Sequence, residues 1–216
     1  MLDYLSSPMR WCESLDGNIF IYSNYIVEFW NSLTSVCFCL FAIYGWYVHK
    51  ELKLDYIPWI FLFFIGITSI WFHASLSLMG QLCDELSIIL LISYCLRVFF
   101  KINKFVYYFL IILSIGISVI FPSVSPPLLM VIGLILISLT YGAVVDDDTK
   151  YLWNRGMVIG FFSIITWLFD FICYFNTHMY WHILITISAY YMILVIIRPD
   201  YKVYLNRAVI PVWTVN

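Results

Sequence analysis

Charge is what this sequence has least of. Only 11% of its 216 residues are Asp, Glu, Lys or Arg, against 63% that are hydrophobic. That balance excludes an ordinary soluble globular domain. The net charge of −2 offers no basic surface, so a nucleic-acid partner is not expected. None of the six cysteines forms a C-x-x-C pair, which removes zinc-ribbon and thioredoxin-type motifs. Before Tyr25 there is no basic start followed by a short apolar core and a small-residue cleavage site, so no removable signal peptide is expected. No internal repeat is visible, and the polar breaks are too short for a separate soluble domain.

What is present is a series of apolar runs, several near or beyond the ~20 residues that cross a bilayer. They predict seven helices at about 26–48, 56–77, 82–100, 105–121, 127–145, 157–175 and 179–197. The expected fold is therefore all-α, a single membrane-embedded seven-helix bundle over residues 1–216. Lys and Arg give its direction. Arg10 stands alone on the side of the N-terminal segment (1–25). Lys50, Lys53, Arg97, Lys101, Lys104, Lys150, Arg155, Arg198, Lys202 and Arg207 fall on the other side. The positive-inside rule then places the N-terminus outside the cytosol and the 198–216 tail within it. The run Asp146-Asp147-Asp148 reads as a solvated cytosolic turn.

There are four histidines. His49, beside Lys50 at a cytosolic helix end, is expected to reach water with its polar tip. The other three, His73, His178 and His182, share the non-cytosolic half. His178 and His182 are four apart, so both rings leave one helix face and can bind one metal ion. His73 supplies a third nitrogen from another span. Three protein ligands and an open position describe a catalytic zinc site, whereas a structural site closes with four. The alternative is a set of interfacial histidines hydrogen-bonded within the bundle.

Glu28, Asp84, Glu85 and Asp170 lie on the histidine side, where an acid must be paired, metal-bound or wetted. Ser69 precedes His73 by one helical turn and faces the same way. The pattern points to metal-assisted hydrolysis. Zinc would lower the pKa of its water toward ~7, Asp84 would accept the proton, and Ser69 would hold the water or the oxyanion. Glu85 is expected to point elsewhere and pack or cap, and the short turn is expected at Gly80. Little on this side but the metal would attract an anionic head group, which favours a neutral lipid. The clusters at 179–181 and 189–191 could line a lipid pocket or serve as belt and packing residues.

The blocks "HASLSLMGQLCDEL" (73–86), "WCE" (11–13) with "IVEFWNSLTSV" (26–36), and "FDFICYFNTHMYWHIL" (169–184) resemble the alkaline ceramidase family. That family sits within a superfamily of seven-span hydrolases that includes progestin and adiponectin receptor-like proteins. The resemblance implies zinc on His73, His178 and His182, with Asp84 and Ser69 as catalytic neighbours. It implies hydrolysis of the ceramide amide to a sphingoid base and a free fatty acid, a part in sphingolipid metabolism, and residence in the endoplasmic reticulum or Golgi. It also implies a calcium site on the Trp11 carbonyl, Glu13 and Glu28. Arg10 stands where the family usually has Asp, Leu15 where it has Asn, and the gap from Glu13 to Glu28 is longer; Asp16 or Asn18 would fill in. Cys12, Cys83 and Cys173 share the outer side, where a Cys12–Cys173 disulfide or three buried thiols are the two options. Two other readings stay open: a related lipid hydrolase acting on glycerolipids or lipid anchors, and a receptor-like protein with a structural metal.

Overall fold

In the computed structural model, residues 6–15, 26–50, 55–141, 144, 147–173 and 175–197 are described. Their secondary structure is helical apart from an isolated bridge between Ser6 and Ser77. A short α1 (Cys12–Leu15) precedes α2 (Phe29–His49), α3 (Ile57–Ser75), α4 (Leu78–Phe100), α5 (Lys104–Ile120), α6 (Ser125–Tyr141), α7 (Asp147–Ile172) and α8 (His178–Ile196). The last seven follow the seven apolar runs of the sequence. By length and composition α2, α3, α7 and α8 are long and apolar enough to cross a membrane, and α5 and α6 are shorter apolar helices.

Local chemistry sets the ends. Pro58 sits in the first turn of α3, where its missing N–H costs nothing. Ser77 caps α4 by accepting from the Gly80 N–H at 3.1 Å, and Asn103 caps α5 by accepting from the Phe105 N–H at 2.9 Å. The α3–α4 turn lies at Leu76 rather than Gly80. Leu76 takes a left-handed conformation (φ 47°), at a cost of roughly 1–2 kcal/mol for a residue with a Cβ. Its carbonyl accepts from the Ser7 N–H at 2.8 Å, and its own N–H returns to the Phe72 carbonyl. Gly80 instead stands in the first turn of α4, where a Cβ would come within 2.9 Å of the Phe72 Cα.

Two further expectations change. Helix α7 begins ten residues before the expected span, so Asp147 and Asp148 are solvated as expected but stand in its first turn rather than in a loop; Asp146 lies outside the described residues. Acidic groups there complement the helix dipole, and Lys150 pairs with Asp147 at 3.7 Å. His49 does not reach water: it is 2% exposed, stacks near Trp59, and faces the Tyr190 hydroxyl at 3.4 Å.

Helix α2 packs between α3 and α8, α3 also packs on α4, and α7 packs on α8. Small residues permit the close approaches, as in membrane bundles generally. A Cβ on Gly66 of α3 would meet Cys39 Sγ and lie 2.9 Å from the Cys39 backbone nitrogen in α2. Between α7 and α8 the Ser188 hydroxyl donates to the Gly156 carbonyl at 2.8 Å. Phe38, Trp59, Leu62, Leu91, Tyr190 and Leu194 form the main core. The outer faces of α5 and α7 expose Phe105, Ile112, Phe162 and Phe169, an apolar surface suited to lipid. The helix ends at Glu28, His73 and His178 are brought together, and this is where the site forms.

Candidate metal centre

His73 lies in the last turn of α3; His178 is the first residue of α8, with His182 one turn on. The three residues are at most 1% exposed. Their centroids are 4.7–5.1 Å apart, and one ring nitrogen from each lies within 4.8 Å of the others. His178 Nδ1 and His182 Nε2 have no hydrogen-bond partner. Buried ring nitrogens are costly unless something binds them, so the triad could hold a metal ion.

The surroundings orient these rings. Glu28 Oε2 lies 2.6 Å from His73 Nδ1, both buried, which fixes the proton on Nδ1 and leaves Nε2 as the donor. The Glu28 backbone N–H also donates to the His73 carbonyl at 3.0 Å, so one residue holds both ends of the ligand. Thr34 Oγ1 lies 3.0 Å from His182 Nδ1, which leaves Nε2 as the nitrogen that could bind a metal ion. His178 is placed through its backbone: Asp170 Oδ1 accepts from the N–H groups of His178 and Thr177 at 3.0 and 3.1 Å. Thr177 makes no side-chain cap of its own, so a carboxylate from α7 caps α8. Trp11 stacks on the His178 ring with centroids 3.8 Å apart. A carboxylate or hydroxyl behind each of two imidazoles is the usual support of a metal-bound histidine. The donor set suits a divalent transition metal.

Sequence reasoning missed Thr34. A Thr in an apolar helix reads as packing, and nothing local ties it to a residue 148 positions away. Asp170 falls on the histidine side of the sequence, where nothing local shows its role as the cap of α8.

Asp84 and Ser69 line the same cavity of about 310 Å³ as His73 and His178. Ser69 is buried, with its hydroxyl 3.0 Å from that of Ser35. Asp84, one and a half turns into α4, is approached by the Thr68 hydroxyl at 3.4 Å. Glu85 borders this cavity beside Asp84 and is packed as expected, its Oε1 accepting from Gln81 Nε2 at 2.6 Å. Below the polar end the walls are apolar. His178, Trp181, Ile185, Ser188, Met192 and Ile196 make one stripe along α8, a length of about 27 Å at the helical rise. The aromatic clusters divide accordingly: Trp181 and Ala189 face the cavity, Tyr180 is exposed, and Tyr190 packs the core.

The residues matched to calcium are engaged within the chain. Glu13 Oε1 and Oε2 accept from the backbone N–H groups of Trp30 and Asn31 at 2.7 and 3.0 Å, which caps α2. Burial raises the Glu13 carboxyl above its ordinary range, and those two N–H bonds oppose the rise. Ser14 Oγ bridges the Trp11 carbonyl (2.9 Å) and Glu28 Oε1 (2.7 Å), so these two oxygens lie together. Asp16 and Asn18 lie outside the described residues. The described set falls short of the six to eight oxygens that calcium takes. Cys12 and Cys173 form a disulfide with Cα atoms 5.0 Å apart, tying α1 to the end of α7, while Cys83 is free.

The Ceramidase family matches residues 3–208 of the chain. Alkaline ceramidase 1 of Mus musculus is 28% identical, over 92% of this chain and 82% of the relative. Alkaline ceramidase of Drosophila melanogaster is 31% identical, over 86% and 74%. Alkaline ceramidase 1 of Homo sapiens is 26% identical, over 87% and 81%. A match that spans nearly the whole sequence, including every residue of the triad, has one reading: the chain belongs to the ceramidase family.

Proposed function

We propose that this protein hydrolyses the amide bond of ceramide within the membrane, using a zinc ion on His73, His178 and His182. Family membership supports the reaction and its substrate class. The observation that supports the metal is the buried triad, with two ring nitrogens lacking any partner, at the polar end of an apolar cavity. Zinc so held supplies Lewis acidity and brings the pKa of a water ligand to about 7.

The chain's own groups do the rest. Asp84 takes the proton of the attacking water and returns it to the leaving nitrogen, so that water is added across the C–N bond and acid and amine separate. Ser35 gives its proton to the Asn31 carbonyl, so Ser69 donates to Ser35 and its oxygen is left to accept from the attacking water and hold it in place. Glu28 and Thr34 hold the ligand rings in one tautomer, and Asp170 fixes the start of α8. The apolar stripe below takes the hydrocarbon chains and excludes water from them.

The same proposal has seven spans, with the N-terminal segment non-cytosolic and the 198–216 tail cytosolic, in the endoplasmic reticulum or Golgi. Calcium belongs to it too, on the Trp11 carbonyl, Glu13 and Glu28, with Asp16 or Asn18 completing the set; it would brace the N-terminal segment.

The deciding experiment is purification in detergent, metal analysis and a lipid panel. About one zinc per chain is expected, with fatty acid released from ceramide and none from the His182→Ala variant. Equal or faster turnover of a glycerophospholipid would overturn the substrate. Full turnover by zinc-free protein would overturn the metal.

A further inference from the structure

The glycines of α6 and α7 serve different ends. A Cβ on Gly156 would come within 2.5 Å of Met192 Cε, and one on Gly160 within 2.9 Å of Ser188 Oγ, so both let α8 close on α7. Gly133 of α6 has no such neighbour. A Cβ there would touch only Ile92 Cδ1 of α4, at 3.8 Å, an ordinary contact. A glycine weakens a helix interior relative to alanine, and packing does not call for one here. The position on the helix does. Pro126, Leu129, Met130, Leu134 and Thr140 line the cavity with Gly133, and at 100° per residue they form one face with Gly133 near its middle. Val131, Ile135 and Leu139, each more than half exposed, hold the opposite face. A side chain at 133 would therefore enter the cavity toward Ile92, which lines the facing wall. Among the described residues of this α6 lining, Gly133 alone has no side chain to put there.

We infer that Gly133 is a specificity-determining residue, whose missing side chain keeps open the passage for one hydrocarbon tail of the substrate. The inference rests on the proposed function. Depth along α6 gives the passage a scale. Ser125, at the start of α6, is a polar neighbour of Glu85 at the polar end of the cavity. Gly133 stands about 12 Å further along the helix and Thr140 about 22 Å. At Thr140 the Trp153 Nε1–H donates to Oγ1 at 2.9 Å, joining α7 to α6. An extended hydrocarbon advances about 1.25 Å per carbon, from bonds of about 1.5 Å at near-tetrahedral angles. A tail of about 8 carbons thus ends above Gly133, whereas one of about 18 passes it and reaches Thr140. Bilayer tails are as apolar as these walls, so fit rather than hydrophobicity decides which lengths enter. The tail belongs to the fatty acid or to the sphingoid base, which present the same apolar chain to the passage.

The test measures kcat/KM on two series of ceramides with the full-length, zinc-loaded protein in detergent. One series lengthens the acyl chain from about 6 to about 18 carbons, the other lengthens the sphingoid base over the same range, and each keeps its second chain at about 6. Gly133→Leu is expected to lower the ratio of longest to shortest substrate by about 10- to 100-fold in at least one series, the effect of forcing methylenes into filled space. The series affected identifies the tail. The shortest ceramide, which ends above residue 133, should lose no more than about threefold. Gly133→Ala should move the ratio far less, since its methyl would rest in ordinary contact with Ile92. Gly133→Val replaces the Leu variant if that one does not retain zinc. Unchanged ratios in both series would overturn the inference. Equal losses at every length would overturn it as well and mark Gly133 as structural. Failure of wild type to cleave any ceramide would strike the proposed function instead.

Discussion

Replacing Thr34 with Val removes one oxygen behind the metal site and keeps its shape. Thr34 Oγ1 donates to the Trp30 carbonyl at 2.8 Å, so toward His182 it is the acceptor of the Nδ1 proton at 3.0 Å. Loss of an outer partner of a metal-bound histidine typically weakens affinity by about 10- to 100-fold. Two features of the structure place this case at the lower end. Thr34 is half-buried, and the Asn31 carbonyl also lies within reach of the His182 ring. The expected loss is therefore about tenfold in zinc affinity, or about 1.4 kcal/mol. The assay is competition between apoprotein and a chromophoric zinc chelator, with turnover then measured at saturating zinc. Turnover should stay within about twofold of wild type, because Thr34 touches the ligand rather than the substrate. Thr34→Ser should bind as wild type does. An unchanged affinity in Thr34→Val, or an equal loss in Thr34→Ser, would refute the assignment of Nε2 as the metal-binding nitrogen.

Other outcomes follow from the same geometry. Asp84→Asn should lower kcat by about 10²- to 10⁴-fold, the usual worth of a general base, while zinc content stays at the wild-type level. Gly66→Ala should push α3 from Cys39 of α2 and cost about 1–3 kcal/mol, readable as a lower thermal midpoint. Cys12 and Cys173 should be alkylated only after reduction, as read by mass spectrometry. The Cys12→Ser/Cys173→Ser pair should lose about 2–5 kcal/mol.

The helices were legible because apolar runs and polar breaks mark them directly. Where hydropathy failed, charge had stopped tracking secondary structure: α7 runs on through Asp147, Lys150 and Arg155 because a helix need not end at a membrane boundary. The triad was legible because its residue type is rare here and the i, i+4 spacing of His178 and His182 carries its own geometry. The supporting residues were not. Thr34 and Asp170 act across 148 and eight positions, respectively, and only packing brings them to the rings they serve. Glu85 packs, as its place beside Asp84 suggested, with Gln81 holding its carboxyl, although the residue also borders the cavity. His49 was misjudged because adjacent Lys50 suggested water, whereas Trp59 and Tyr190 cover it.

One carboxylate also imposes an order of assembly. Asp170 accepts from the backbone of Cys12 at 3.1 Å as well as from Thr177 and His178, and Trp11 rests on the His178 ring. During synthesis the Glu28–His73 half emerges first, with neither a second nor a third ligand to join. The N-terminal segment can bond early to α2 through Glu13 and to the α3–α4 turn through Ser7, but its contacts to Asp170 and Cys173 wait for α7, more than 150 residues later. Because α7 and α8 supply a wall of the apolar chamber as well as two of the three histidines, the chamber and the reactive centre close in the same late step.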